Sequence, residues 1–110
     1  MPISYHEQSR VFRLDTPGST YLIALVDDEG FLAHLYYGRP IPDCDLRHLL
    51  RLEEYPGPSQ RKGERLTFYD MLPTEYSGHG VGDLRESCLS VESPQGARAC
   101  CVTYLSHRIF

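Results

Sequence analysis

Tryptophan is absent, and so is any long apolar run: no stretch approaches the roughly 18 residues that cross a bilayer as a helix. No charged start followed by an apolar core suggests a signal peptide. Basic patches are missing as well. The 11 Lys and Arg are scattered among 15 Asp and Glu, for a net charge of -4, so the basic stripe that phosphate backbones require is not there. These absences give the expectation of a cytoplasmic protein with neither nucleic acid nor membrane as a partner.

Spaced ligand motifs are lacking too. The 4 cysteines, Cys44, Cys88, Cys100 and Cys101, show none of the short spacings of zinc ribbons and redox pairs. The 5 histidines, His6, His34, His48, His79 and His107, contain no i, i+4 pair. No metal and no cofactor is expected, and the cysteines are expected to be reduced and buried. Adjacent Cys100 and Cys101 should point to opposite faces of a strand, one into the core and one outward. Nor is there a G-x-S-x-G elbow or a nucleophile with a base beside it. Glycines 78, 80 and 82 alternate without the spacing of a phosphate-cradling loop. They predict unusual backbone angles or a close approach by a neighbour.

What is present is ordinary globular composition, 41% apolar and 24% charged, in a length that suits one domain. A chain of this size buries roughly two thirds of its unfolded surface. The organising stretch is 21–38, YLIALVDDEGFLAHLYYG, in which two apolar runs flank Asp27-Asp28-Glu29-Gly30. Its β-branched and aromatic residues and its short polar connection predict a β-hairpin covered on both faces. Segments 3–8 and 11–15 add a small meander before it, turned by Thr16-Pro17-Gly18-Ser19. Pro40 and Pro42 end the strand. Leucines 46, 49, 50 and 52 within DLRHLLRLEE (45–54) fit one short helix or helical turn, with Asp43 or Asp45 as its cap. YPGPSQRKG (55–63) predicts a long surface loop. Segments 87–93 and 97–107, joined by Pro94-Gln95-Gly96, predict a second hairpin. The fold class is mainly β: an antiparallel sandwich or part of one, with at most one short helix.

Leu105, Ile109 and Phe110 close the sequence without turn or capping residues. This predicts a piece of a longer polypeptide, with strand edges and apolar surface that favour dimers or larger assemblies.

HLYYG at 34–38, EY at 75–76 with the glycine loop and GDLR at 82–85, and YLSHRI at 104–109 resemble, in order along nearly the whole chain, the amino-terminal region of family 36 α-galactosidases. The resemblance implies the start of a large β-sandwich domain preceding a (β/α)8 catalytic barrel. It also implies retaining hydrolysis of terminal α-galactosides by two barrel aspartates, and homo-oligomers whose amino-terminal loops wall a neighbour's sugar site. The barrel is not in these residues. The local acids, Asp27-Asp28-Glu29 and Glu53-Glu54, read as solvated surface rather than as a pair roughly 5 to 5.5 Å apart across a glycosidic bond. The chain alone is therefore expected to be inactive.

The resemblance places two contacts to the neighbour's galactoside at Glu53 and Arg65, on either side of the irregular loop. A carboxylate accepts from vicinal hydroxyls and a guanidinium donates in a fixed fork. Glu53 stands where the family commonly has Asp, and Glu54 beside it competes for the role. Asp83 and Arg85 form a second candidate pair for substrate, with a local structural salt bridge as the competing reading. Tyr36 and Tyr37 are candidates for a sugar platform, although their place at a strand end favours packing. The alternative of a different class is a stand-alone, non-catalytic β-sandwich module that binds carbohydrate or protein.

Overall fold

A computed structural model describes residues 2–26, 30–50, 72–80, 83 and 85–110. Its centre is an antiparallel meander of β1 (Ile3–His6), β2 (Val11–Asp15), β3 (Thr20–Val26) and β4 (Phe31–Gly38), in the spatial order β1-β2-β3-β4. The predicted hairpin is β3–β4, with Gly30 at φ 77° just before β4. The β2–β3 turn is closed by Thr16, whose hydroxyl accepts from the amides of Gly18 and Ser19. That is how a Thr-Pro-Gly-Ser sequence reverses a chain.

Period-2 alternation sorts the side chains onto two faces. Val11, Leu22, Ala24, Val26, Phe31 and Ala33 point to one side and are buried. A bulge between Leu22 and Ile23 opposes them to Tyr36 and His34, leaving Leu35 as the extra residue of β4. Leu35 turns into the same core, and Tyr36, Ile41, Leu46 and Leu50 pack against it. Leu72, 1% exposed, completes a second cluster with Val26, Phe31 and Ala33, against which Leu50 also packs. Among the described residues, the cover on this face is irregular chain.

Two arginines fasten that cover. Arg13, at an inward position of β2, donates Nη2 to the Ile41 carbonyl at 2.5 Å and Nη1 to the Pro42 carbonyl at 3.3 Å. Its Nε meets Asp15 Oδ2 at 2.6 Å. Arg47 Nη1 donates to the Ser9 carbonyl at 2.6 Å and to the Leu25 carbonyl at 3.2 Å.

The opposite face carries Tyr5, Phe12, Leu14, Tyr21, Ile23, Leu25 and Leu32. Only Leu25 among them is fully buried. The carboxy-terminal segment crosses part of this face: the rings of Tyr5 and Phe12 stand 4.7 and 4.9 Å from His107, and Phe12 lies 6.0 Å from Tyr104. Tyr104 N donates to the Gly30 carbonyl at 2.7 Å.

The structure refines or corrects several expectations. Of the short helix or helical turn expected over 45–54, the described residues form a 3-10 turn at Arg47–Leu49. Leu46 and Leu50 both turn to the sheet, and Leu50 is already extended at ψ 106°. The second hairpin keeps its turn, with Gly96 at φ 81° and Ser93 N donating to the Ala97 carbonyl at 2.9 Å, but no strand ladder follows. Cys100 pairs instead with His79, through backbone bonds of 3.0 and 2.9 Å. Cys44 and Cys88 are exposed rather than buried; of the adjacent pair, Cys101 faces outward as expected, while Cys100 is only half-buried. Tyr37 is 68% exposed and outside the core, while Tyr36 lies against it.

Candidate functional site

Residues 72–75 run along the outer edge of β4. Thr74 bridges Ala33, His34 N donates to the Pro73 carbonyl at 2.7 Å, and Glu75 N donates to the Leu32 carbonyl at 2.9 Å. The irregular chain here thus acts as a short extra edge, which puts Glu75 beside the outer face of the sheet. Its Oε1 lies 3.3 Å from His34 Nδ1. Burial pushes the Tyr21 phenol well above its usual pKa, and a hydrogen bond to the Glu75 carboxylate adds to the effect. Tyr37 packs edge-on against Tyr21 at 5.8 Å. This Tyr21–His34–Glu75 cluster is not apparent from spacing. The sequence signal that points to it is alternation: a histidine between two apolar residues of β4 must face the side that Tyr21 faces.

The glycine loop follows. Gly78 passes so close to Cys100 that a β-carbon would run into the Cys100 carbonyl. Gly80 takes φ 74° and its carbonyl accepts from Asp83 N at 3.1 Å. Both expected uses of glycine, close approach and positive φ, are therefore present. The loop delivers Asp83 to a buried position at 2% exposure.

Asp83 and Arg85, the second candidate pair, are brought together. Arg85 Nε reaches Asp83 Oδ1 at 2.8 Å, Arg85 Nη2 reaches Oδ2 at 3.0 Å, and Arg85 N donates to Oδ1 at 3.1 Å. Arg85 Nη1 also donates to the Leu72 carbonyl at 2.5 Å. The Asp83 side chain has 0% exposure and that of Arg85 34%. Burial pushes the Asp83 carboxyl up, but the Arg85 hydrogen bonds and charge outweigh it and hold the group below the usual carboxylate value. The first candidate pair, Glu53 and Arg65, lies outside the described residues, as do Glu54, the acidic turn 27–29 and the loop 55–63.

An open cavity of about 370 Å³ lies on the core face, lined by His6, Gln8, Arg13, Asp43, Cys44 and Asp45 among others. His6 Nε2 stands 3.7 Å from Asp43 Oδ1. Asp15 is held below the usual carboxylate value, first by its hydrogen bond from Arg13 and then by that from Thr20. Among the described residues no cluster of His, Cys, Asp and Glu has the form of a metal site, and no helix is long and apolar enough to cross a membrane.

Known proteins supply the remaining context. The chain is 29% identical over 109 residues to the α-galactosidase Mel36A of Lactobacillus acidophilus, covering 97% of this chain and 15% of that one. It is 30% identical over 112 residues to the bifunctional α-galactosidase/sucrose kinase AgaSK of Mediterraneibacter gnavus, covering 99% of this chain and 12% of that one. The crystal structure of the family 36 α-galactosidase AgaB from Geobacillus stearothermophilus superposes with a TM-score of 0.74 at 32% identity, over 98% of this chain and 14% of that one. The mainly antiparallel β architecture is thus shared with that enzyme, and the chain spans about one seventh of its length. Residues 30–110 match the glycosyl hydrolase family 36 N-terminal domain, and the chain accordingly belongs to that family.

Proposed function

We propose that this chain is the amino-terminal region of a cytoplasmic retaining α-galactosidase, and that it is structural, oligomer-forming and non-catalytic by itself. The observation that carries the reading is the match of residues 30–110 to the family 36 N-terminal domain, joined to α-galactosidases that align over nearly the whole chain. The local chemistry agrees with it. Among the described carboxylates, Asp15, Asp83 and Glu92 are paired with arginines, and Glu75 with His34 and Tyr21. In this reading, hydrolysis belongs to residues beyond these 110. This region lends Glu53 and Arg65 to the galactoside held by a neighbouring subunit.

The direct test is to express the longer polypeptide that carries this region and assay it on an aryl α-galactoside. Release of galactose first as the α-anomer is expected, with no turnover by the 110-residue chain alone. A longer polypeptide without α-galactosidase activity refutes the assignment.

The loop is tested in the same polypeptide. Arg65→Ala should weaken transition-state binding by about 1.5 to 3 kcal/mol, the scale of a hydrogen bond to a charged group. Glu53→Gln should cost less, because the amide keeps one acceptor oxygen. An unchanged kcat/KM in Arg65→Ala with the oligomer intact leaves Arg65 a solvated surface charge.

A further inference from the structure

The cavity of about 370 Å³ on the core face has no part in the function proposed above. It lies between the end of β1, the inward residues Val11 and Arg13 of β2, Leu22 of β3, and the covering segment 43–46. Its size falls in the range of about 300 to 1,000 Å³ that small-molecule pockets occupy. Its walls are tied together in advance. Arg47, on the cover, donates to the Ser9 carbonyl at 2.6 Å and so joins the cover to the β1–β2 turn. Arg10 in that turn takes φ 54°, a left-handed conformation that a side chain adopts only where its surroundings impose it, and its carbonyl accepts from Leu25 N at 2.8 Å.

Three side chains in the lining keep bonding capacity. The Arg13 side chain is 10% exposed, and the described residues take three of its five N–H groups, through Asp15, Ile41 and Pro42. One N–H on each terminal nitrogen is left over, and a buried donor without an acceptor is costly. Asp43 Oδ1 stands 3.7 Å from His6 Nε2 and 3.9 Å from Arg13 Nη1, too far for a direct hydrogen bond to either. Gaps of that length suit an oxygen atom held between the two groups, within about 2.8 Å of each.

The lining also selects the kind of molecule that brings such an oxygen. An anion meets the carboxylates of Asp43 and Asp45, and a cation meets the Arg13 guanidinium. Among the described residues no cluster has the form of a metal site. A hydroxyl group suits both sides of the gap, because it donates to a carboxylate and accepts from an imidazole or guanidinium N–H. Val11, Leu22 and Leu46 give the same cavity an apolar wall. A pyranose, with hydroxyls around its edge and C–H groups on its faces, matches both surfaces.

We propose that this cavity binds a neutral polyhydroxylated ligand, a single pyranose or the terminal residue of a short oligosaccharide. Asp43 accepts from its hydroxyls, His6 and Arg13 donate to them, and the aliphatic wall takes its C–H face. The proposal concerns binding by these 110 residues and does not depend on the function proposed above.

The test is a titration of the isotope-labelled 110-residue chain with galactose and with glucose, followed through its backbone amide resonances. The amides of His6, Ser9, Val11 and Leu46 should shift and saturate, while those of the Ser93–Ala97 turn, which is not part of the lining, stay in place. The Asp43 side chain is 69% exposed, so its replacement should leave the fold intact. Asp43→Ala should weaken binding about tenfold, as expected for a hydrogen bond to a charged group. Asp43→Asn, which keeps one acceptor oxygen, should lose less. Glu92→Ala, at a surface carboxylate outside the lining, should bind as wild type does. Acetate and methylammonium serve as charged probes and should leave the cavity amides unmoved. Absence of a saturable shift with either sugar overturns the proposal, as does equal affinity in Asp43→Ala. A stronger response to either charged probe than to the sugars also overturns it, because the cavity then selects charge rather than hydroxyls.

Discussion

Among the described glycines, Gly78 has the least room for a side chain. A β-carbon there meets the Cys100 carbonyl, a backbone atom fixed by its bridge to His79, so neither partner can yield cheaply. Gly78→Ala should cost about 1 to 3 kcal/mol, the range for overpacking. Gly18→Ala, where nothing lies within 4 Å of the new atom, should stay within about 0.5 kcal/mol. Urea unfolding of the two variants checks the contrast. Asp83 gives a pH-dependent counterpart. Its folded pKa lies below the ordinary value of 3.8, so the unfolded chain takes up the proton first. The stability it contributes is fully present above that value and is lost as pH falls through the folded pKa. Asp83→Asn should therefore unfold at a lower urea concentration by a margin that is constant from neutral pH to about pH 5 and narrows in stronger acid. The Asp83–Arg85 pair was visible in the sequence, but its choice between substrate and neighbour was not. The structure joins the two as an ion pair with the Asp83 side chain wholly buried, and i, i+2 spacing says nothing about burial.

Elements were legible where a period was clean. Both strands of the β3–β4 hairpin follow from their β-branched, aromatic and aliphatic runs, and the turn before β3 from Thr-Pro-Gly-Ser. Segments 45–50 and 97–107 show where a period misleads. The leucines at 46 and 50 fit a helix face equally well whether or not a helix is there, and they are used here to cap a sheet. The apolar residues of 97–107 promised a hairpin partner, but Cys100 and Tyr104 spend their backbone groups on His79 and Gly30. Such long-range choices depend on the glycine loop and the β3–β4 turn, and no local pattern encodes them. The short edge at 72–75 depends on Leu72, which sits at 1% exposure among Val26, Phe31 and Ala33. Leu72→Ala should destabilise the chain by about 2 to 5 kcal/mol through lost burial and the cavity left behind. Loss of protection at His34 should accompany it, measured by hydrogen exchange.

For the molecule as a whole, the two faces of the sheet are unequal. One is closed by the 41–50 cover and Leu72. The other leaves Tyr5, Phe12 and Tyr21 only half-covered, with Tyr37 exposed beside them and Leu105 and Phe110 in solvent. Apolar surface of that kind favours association. Light scattering on the 110-residue chain should find dimers or larger assemblies, and a clean monomer at high concentration would contradict this. The strand order β1-β2-β3-β4 also bears on how the protein is made. Each strand pairs with the one just synthesised before it, so the pairing loops are short and little entropy is lost in closing them. The ribosome releases the chain from its amino end, and the first 38 residues suffice for the whole meander. The sheet can thus assemble on the nascent chain, and Leu72, the glycine loop and Tyr104 emerge later onto a template that already exists.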